Sequence, residues 1–271
     1  MRTEYTMDSL GLGKGSRLRL AEVLRHTKGT ISVQQAAEAL KLRPNKTAKM
    51  LARWAEQGWL SRVRRGLYIP VPLEARSSDI SPEDPWIIAE QIYRPCYIGG
   101  WSAAEHWHLT EQIFRTVLVM TTRGVRDRNP HIKGIHFRVR TVSQDALFGT
   151  KPVWRAQVRV QVADPSRTII DLMDDPALGG GLRSTIDIFQ NYLNSEHKNL
   201  DLLIACAERL GNKTVFKRLG FLTERLAPAE ENLIEACRTR LSKGNSKLDP
   251  DLPSPRLVTS WKLWVPEGWT K

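Results

Sequence analysis

Residues 44–69 read PNKTAKMLARWAEQGWLSRVRRGLYI, and this stretch decides the fold. Pro44 is pre-set for a first helical turn and Gly58 for a left-handed helix end, so the spacing predicts a helix between them. Its faces are segregated. Ala48, Leu51, Ala52 and Ala55 form one stripe; at about 100° per residue, Lys46, Lys49 and Arg53 point almost opposite. Asn45 and Thr47 flank the cationic face near the amino-terminal end. Past Gly58, residues 59–64 and 67–69 carry short strand patterns joined by Arg65-Gly66, which predicts a hairpin with Arg62, Arg64 and Arg65 at its tip.

Working upstream, Ser32 is placed to cap a helix in which Val33, Ala36, Ala37 and Leu40 recur at i, i+3, i+4 and i+7. Lys41-Leu42-Arg43 then turns the chain into Pro44. An earlier helix over residues 16–26 sets Leu20, Val23 and Leu24 at core spacing. Helix, three-residue turn, helix and hairpin is the order of a winged helix-turn-helix, whose later helix enters the major groove amino-terminus first. Arginine and lysine reach guanine edges or phosphates there, and asparagine reads adenine. Arginines on a wing grip phosphate or enter the minor groove. The candidate DNA-binding residues are therefore Arg43, Asn45, Lys46, Thr47, Lys49, Arg53, Arg62, Arg64 and Arg65. A lone lysine on a helix face is usually only solvated, and a three-helix fold with a hairpin also serves as a protein–protein module. The joint presence of a cationic helix face, an arginine-tipped hairpin and local charge favours DNA.

That charge is unevenly spread. The 271-residue chain carries a formal +12, yet residues 1–70 hold 14 Lys and Arg against 5 Asp and Glu, while the remaining residues hold 27 against 24. A generally basic surface predicts no such asymmetry; a nucleic-acid footprint does. Hydrophobic residues make up 41%, enough for a core, so a wholly disordered chain is excluded. Cys96, Cys206 and Cys237 stand at no metal-ligand spacing, and an odd number of cysteines points to a reducing compartment. The first residues show no apolar secretory segment, and no run approaches the ~18 apolar residues of a membrane span. The expected location is the cytoplasm, with no membrane partner.

Residues 71–85, VPLEARSSDISPEDP, read as a linker between a domain at 1–70 and a second at 86–271. In the second domain, helical patterns cover residues 86–92 and a stretch capped by Ser102. Strand patterns cover 114–122, 135–140 and 158–162, and Arg123, Arg126 and Arg128 form a basic loop. Asp164 caps a helix with Pro165 at its first position, and Arg167 and Asp171 are spaced i, i+4 to pair. Further helices are expected at 186–193, 200–210, 215–226 and 230–241, and a tail at 255–265 carrying Trp261 and Trp264 is expected to dock back. The fold class is α+β: an amino-terminal winged helix-turn-helix and a larger mixed α/β carboxy-terminal domain. Chemistry is sparse. His106 and His108 at i, i+2 share no helix face, no nucleophile setting is recognisable, and Gly179-Gly180-Gly181 lacks phosphate-loop context. No catalytic residue, metal or cofactor is assigned, and the chain is not expected to be an enzyme.

Several stretches together resemble the AbiEi family of antitoxins and transcriptional regulators. They are RGLY at residues 65–68, YIGGWSAAEHWHLT at 97–110, the strand at 117–122 and VADPSRTIIDL at 162–172, within roughly residues 15–225. The resemblance implies a regulator encoded beside a nucleotidyltransferase-like toxin. Its winged helix would bind double-stranded operator DNA with inverted repeats in its own promoter. Its larger domain would supply antitoxicity without a stable complex with the toxin. A glutamate common in the family between the proline and arginine of the last stretch is Ser166 here, which removes any role resting on that carboxylate. Two other readings remain: a winged-helix transcription factor without a toxin, its second domain a sensor or oligomerisation module; and a DNA-processing enzyme using Asp164 or Asp171.

Overall fold

The computed structural model of the chain describes residues 13–72, 75, 77, 80 and 82–269. Residues 73, 74, 76, 78, 79 and 81 of the expected linker lie outside them, as do the first 12, on which the reading of no secretory segment rests. The architecture is α+β, in two units. One runs to Ile92 and also takes in His131–Ile135 and Trp154–Val160; the other holds the rest of the described chain.

The first unit begins with α1 (Lys14–His26), β1 (Ile31–Ser32), α2 (Val33–Leu40), α3 (Pro44–Glu56), β2 (Leu60–Arg64) and β3 (Leu67–Pro70), with α4 (Pro85–Tyr93) at its end. Local chemistry sets the ends of these helices. Ser32 Oγ accepts from Gln35 N at 3.2 Å while Gln35 Oε1 accepts from Ser32 N at 3.0 Å, a reciprocal cap that satisfies two otherwise orphaned donors. Lys41 ends α2 in the left-handed region at φ 52°. Pro44 opens α3 as expected. Its exit is a Schellman turn: Gly58, at φ +78°, donates to Ala55 O, and Trp59 N donates to Trp54 O at 2.9 Å. The three strands pair antiparallel in the order β1-β3-β2, with Ile31 opposite Tyr68 and Ser61 opposite Ile69. The core gathers Leu20, Val23, Ile31, Ala36, Leu51, Trp54, Leu60 and Tyr68.

Two sequence expectations need correcting here. The inward stripe of α3 is Thr47, Leu51 and Trp54; Ala48, Ala52 and Ala55 are only half-buried. One indole removes more apolar area from water than several alanine methyls, so the helix rotates to bury Trp54. Leu24, read as core, is 40% exposed.

The second unit contains β4 (Cys96–Ile98), α5 (Gly100–His106) and β5 (Thr116–Thr121). After β6 (His131–Ile132), which belongs to the first unit, come β7 (Ile135–Thr141), β8 (Thr150–Arg155) and β9 (Val158–Ala163), of which Ile135, Trp154, Arg155 and residues 158–160 are counted with the first unit. These strands run in the order β7, β5, β4, β9, β8 in a mixed sheet: β5 is antiparallel to β4 and parallel to β7, and β4 is parallel to β9. Helices follow as α6 (Pro165–Asp174), α7 (Leu182–Leu193), α8 (Leu200–Leu210), α9 (Lys213–Leu226) and α10 (Glu231–Arg238). Every residue of α6 from Pro165 to Met173 is buried, so its polar side chains must find partners inside the protein. The tail docks as expected. β10 (Ser246–Lys247), β11 (Arg256–Val258) and β12 (Leu263–Val265) make a small sheet. Trp261 is fully buried and its indole nitrogen donates to Glu224 Oε2 at 2.7 Å. Ser102 does not cap α5, which starts two residues earlier after Gly99; its hydroxyl instead accepts from Leu118 N at 3.0 Å.

Candidate nucleic-acid interface

The rotation of α3 matters for its outer face. With Thr47, Leu51 and Trp54 inward, about 100° per residue puts Asn45, Lys46, Lys49 and Arg53 around the opposite pole. All four are exposed, and Arg43 at the helix entrance is exposed as well. The first turn of α3 contains no acidic residue and no side-chain cap; Pro44 has no N–H and the amides of Lys46 and Thr47 both donate to Arg43 O, so it is the positive end of the helix dipole that faces an anion. Thr47 is the exception among the nine expected contacts. It is fully buried and its hydroxyl donates to Arg43 O at 3.2 Å, which takes it off the surface. It fixes the helix entrance from within.

The hairpin carries Arg62, Arg64 and Arg65 exposed on and beside β2, with Gly66 turning at φ +81°. A register shift between Arg62 and Arg64 bulges the strand, so these two arginines do not follow strict alternation. Arg64 reaches back to Gln91 O at 3.5 Å. Val33 N donates to Gly66 O at 3.2 Å, tying the wing to the start of α2. The structure thus brings Asn45, Lys46, Lys49 and Arg53 onto one helix face and the three arginines onto one hairpin, both within the first unit. Sequence reasoning missed β1, because two residues are too few to show a period.

In the second unit the two carboxylates weighed for catalysis are engaged in packing. Asp164 Oδ1 accepts from Ser166 N at 2.9 Å as the cap of α6, and its other oxygen meets Lys151 Nζ at 2.7 Å. Asp171, 3% exposed, takes Arg167 Nε at 2.9 Å and the Tyr97 hydroxyl at 3.1 Å. Arg167 also donates to Tyr97 and lies over the Phe148 ring at 4.0 Å. Burial opposes the charge on Arg167, but Asp171 and Tyr97 outweigh it and hold the guanidinium above its ordinary pKa. Burial, together with the Asp171 charge, pushes the Tyr97 phenol up, so it stays a neutral donor. Ser166, where the family resemblance leads one to look for a carboxylate, is buried and shares a 2.8 Å hydrogen bond with the Tyr192 hydroxyl. Among the described residues no group of three or more His, Cys, Asp or Glu is placed to hold a metal ion, and no helix is long and apolar enough to cross a membrane.

The segment that builds the helix face and the wing is also the segment that a family model matches. Residues 18–71 match the family model of the AbiEi antitoxin, a transcriptional regulator. The AbiEi match begins inside α1 and ends one residue past β3, so it covers the whole arrangement from first helix to wing. It bears out the resemblance over this segment. The YIGGW and DPSRT motifs lie beyond the AbiEi-matched residues. No curated protein matches the chain.

Proposed function

We propose that the chain is a cytoplasmic, non-enzymatic, DNA-binding autorepressor and the antitoxin of a pair whose toxin is a nucleotidyltransferase-like protein. The observation that carries this reading is the exposed cationic face of α3, set on a segment that matches AbiEi regulators. On this reading α3 enters the major groove of an inverted-repeat operator with Arg43, Asn45, Lys46 and Lys49 nearest the bases, and Arg53 beside the backbone. Arg62, Arg64 and Arg65 hold phosphates; Arg64 gives up its long contact with Gln91 to do so. The winged domain spans residues 1–70, and residues 86–271 supply the antitoxic function, opposing the toxin without a stable complex.

The test uses the full chain and fluorescently labelled DNA from upstream of its gene. Arg64→Ala with Arg65→Ala weakens binding to specific and unrelated duplexes alike. Asn45→Ala or Lys46→Ala changes which operator positions matter, costing about 1–3 kcal/mol at the base each reads. Unchanged binding in all of these variants rejects the surface. Co-expression of the full chain with the neighbouring toxin gene, scored by growth, separates an antitoxin from a regulator without a toxin.

A further inference from the structure

On the second unit, Val139 N donates to Arg128 O at 2.8 Å, which lays Arg128 along the edge of β7. Arg138 and Arg140, two apart on that strand, share the sheet face opposite the buried Phe137 and Val139. These three arginines rim a recess of about 630 Å³ that Asn129, Thr141 and Asp175 complete. Only Arg140 is neutralised, by Asp174 and Asp175. Arg128 and Arg138 have no ion-pair partner among the described residues. Arg138 lies over the Trp101 ring at 5.5 Å, and Trp101 in turn stacks on Phe114 at 5.4 Å, so this guanidinium is held in place before any ligand arrives. Arginines gathered in a concavity repel one another and focus positive potential on it, an arrangement that an anion relieves.

A second recess of about 540 Å³ shares Arg138 and has a different character. Arg183 lines it together with the carboxylates Asp249 and Asp251, and Gly180 and Gly181 place no side chain over the backbone there. Carboxylates reject a phosphate and accept hydrogen bonds from hydroxyl or amino groups. We propose that the paired recesses bind one small phosphorylated molecule with a hydroxyl-bearing body, of the nucleoside phosphate class. Its phosphates lie against Arg128 and Arg138, and its body lies toward Asp251. The first recess alone falls within the roughly 300–1,000 Å³ typical of small-ligand sites. Trp101 is too deeply buried to serve as a stacking platform for a nucleic-acid strand, which favours the small molecule over a polymer.

Isothermal titration of the full chain with ADP, inorganic pyrophosphate and adenosine tests this. ADP and pyrophosphate bind with one site per chain, and adenosine binds at least roughly 10-fold more weakly than ADP. R128A/R138A weakens both anions by roughly 10-fold or more, whereas D251N weakens ADP and spares pyrophosphate. Because Arg128 is exposed, R128A alone gives the same direction of change if loss of the Arg138–Trp101 stack unfolds the double variant. No heat with either anion, equal binding of ADP and adenosine, or anion affinity unchanged in R128A overturns the proposal. So does displacement of ADP by a short DNA duplex that depends on Arg138, which would give the recess to nucleic acid.

Discussion

Arg167 is 1% exposed and Asp171 3%, so each is the buried counter-charge that compensates the other. Removing one partner of a buried pair leaves an uncompensated charge and costs about 3–5 kcal/mol, whereas replacing both with apolar groups costs far less. Arg167→Met therefore lowers the urea midpoint sharply, and Arg167→Met with Asp171→Leu recovers much of the loss. A variant pair showing equal destabilisation would refute this account. A second residue-scale prediction concerns Cys237, whose thiol burial pushes up to about 12 from an ordinary 9.0. Below pH ~9 the thiol is neutral folded and unfolded, and its contribution to stability is complete. As pH rises from about 9 toward about 12, the unfolded chain ionises first and that stability is lost. Urea midpoints at pH 8 and pH 10 fall further apart in the wild type than in Cys237→Ala. At this scale the i, i+4 pair was legible in sequence, because helical spacing fixes it. Tyr97, 74 positions from Asp171 and bonded to it, was not, since no local rule brings it there.

The helices were the elements that sequence rendered best, because proline, glycine and capping serine act within a turn of where they stand. Gly58 illustrates the point. At φ +78° any other L-residue meets its own carbonyl, and Gly58→Ala costs about 1–2 kcal/mol in the first unit, read as an earlier transition in thermal or urea unfolding. The rotation of α3 was harder to see: a count of apolar residues gives each alanine the same vote as Trp54, although burial energy follows area. Strands as short as β1 and β10 carry no usable period at all. The docked tail yields a sharper test. A Cβ on Gly220 would stand 2.1 Å from the Trp261 ring and 2.8 Å from Cys237 Cβ, so Gly220→Ala expels the indole or shifts α9. A destabilisation of roughly 1–3 kcal/mol or more follows, with Trp261 fluorescence moving toward that of a solvated indole. An unchanged emission spectrum would show that the tail is not seated on Gly220.

For the whole molecule the charge asymmetry was plain in composition, and the exposed arginines and lysines of α3 and the wing give it a place to act. If about six phosphates are neutralised on binding, affinity falls roughly 10³-fold or more between about 50 and 200 mM salt, measured by anisotropy across a titration. A flat salt response would mean that those cations do not meet a duplex backbone. Connectivity was the least legible feature, since segments distant in sequence join one unit only after folding. The chain leaves the first unit after Ile92 and returns to it for His131–Ile135 and again for Trp154–Val160. A fragment ending near residue 92 therefore omits two segments of its own unit, and its complement carries them away from the rest of that unit. Point substitutions in the unbroken polypeptide assign repression and antitoxicity to separate halves without removing those returning segments.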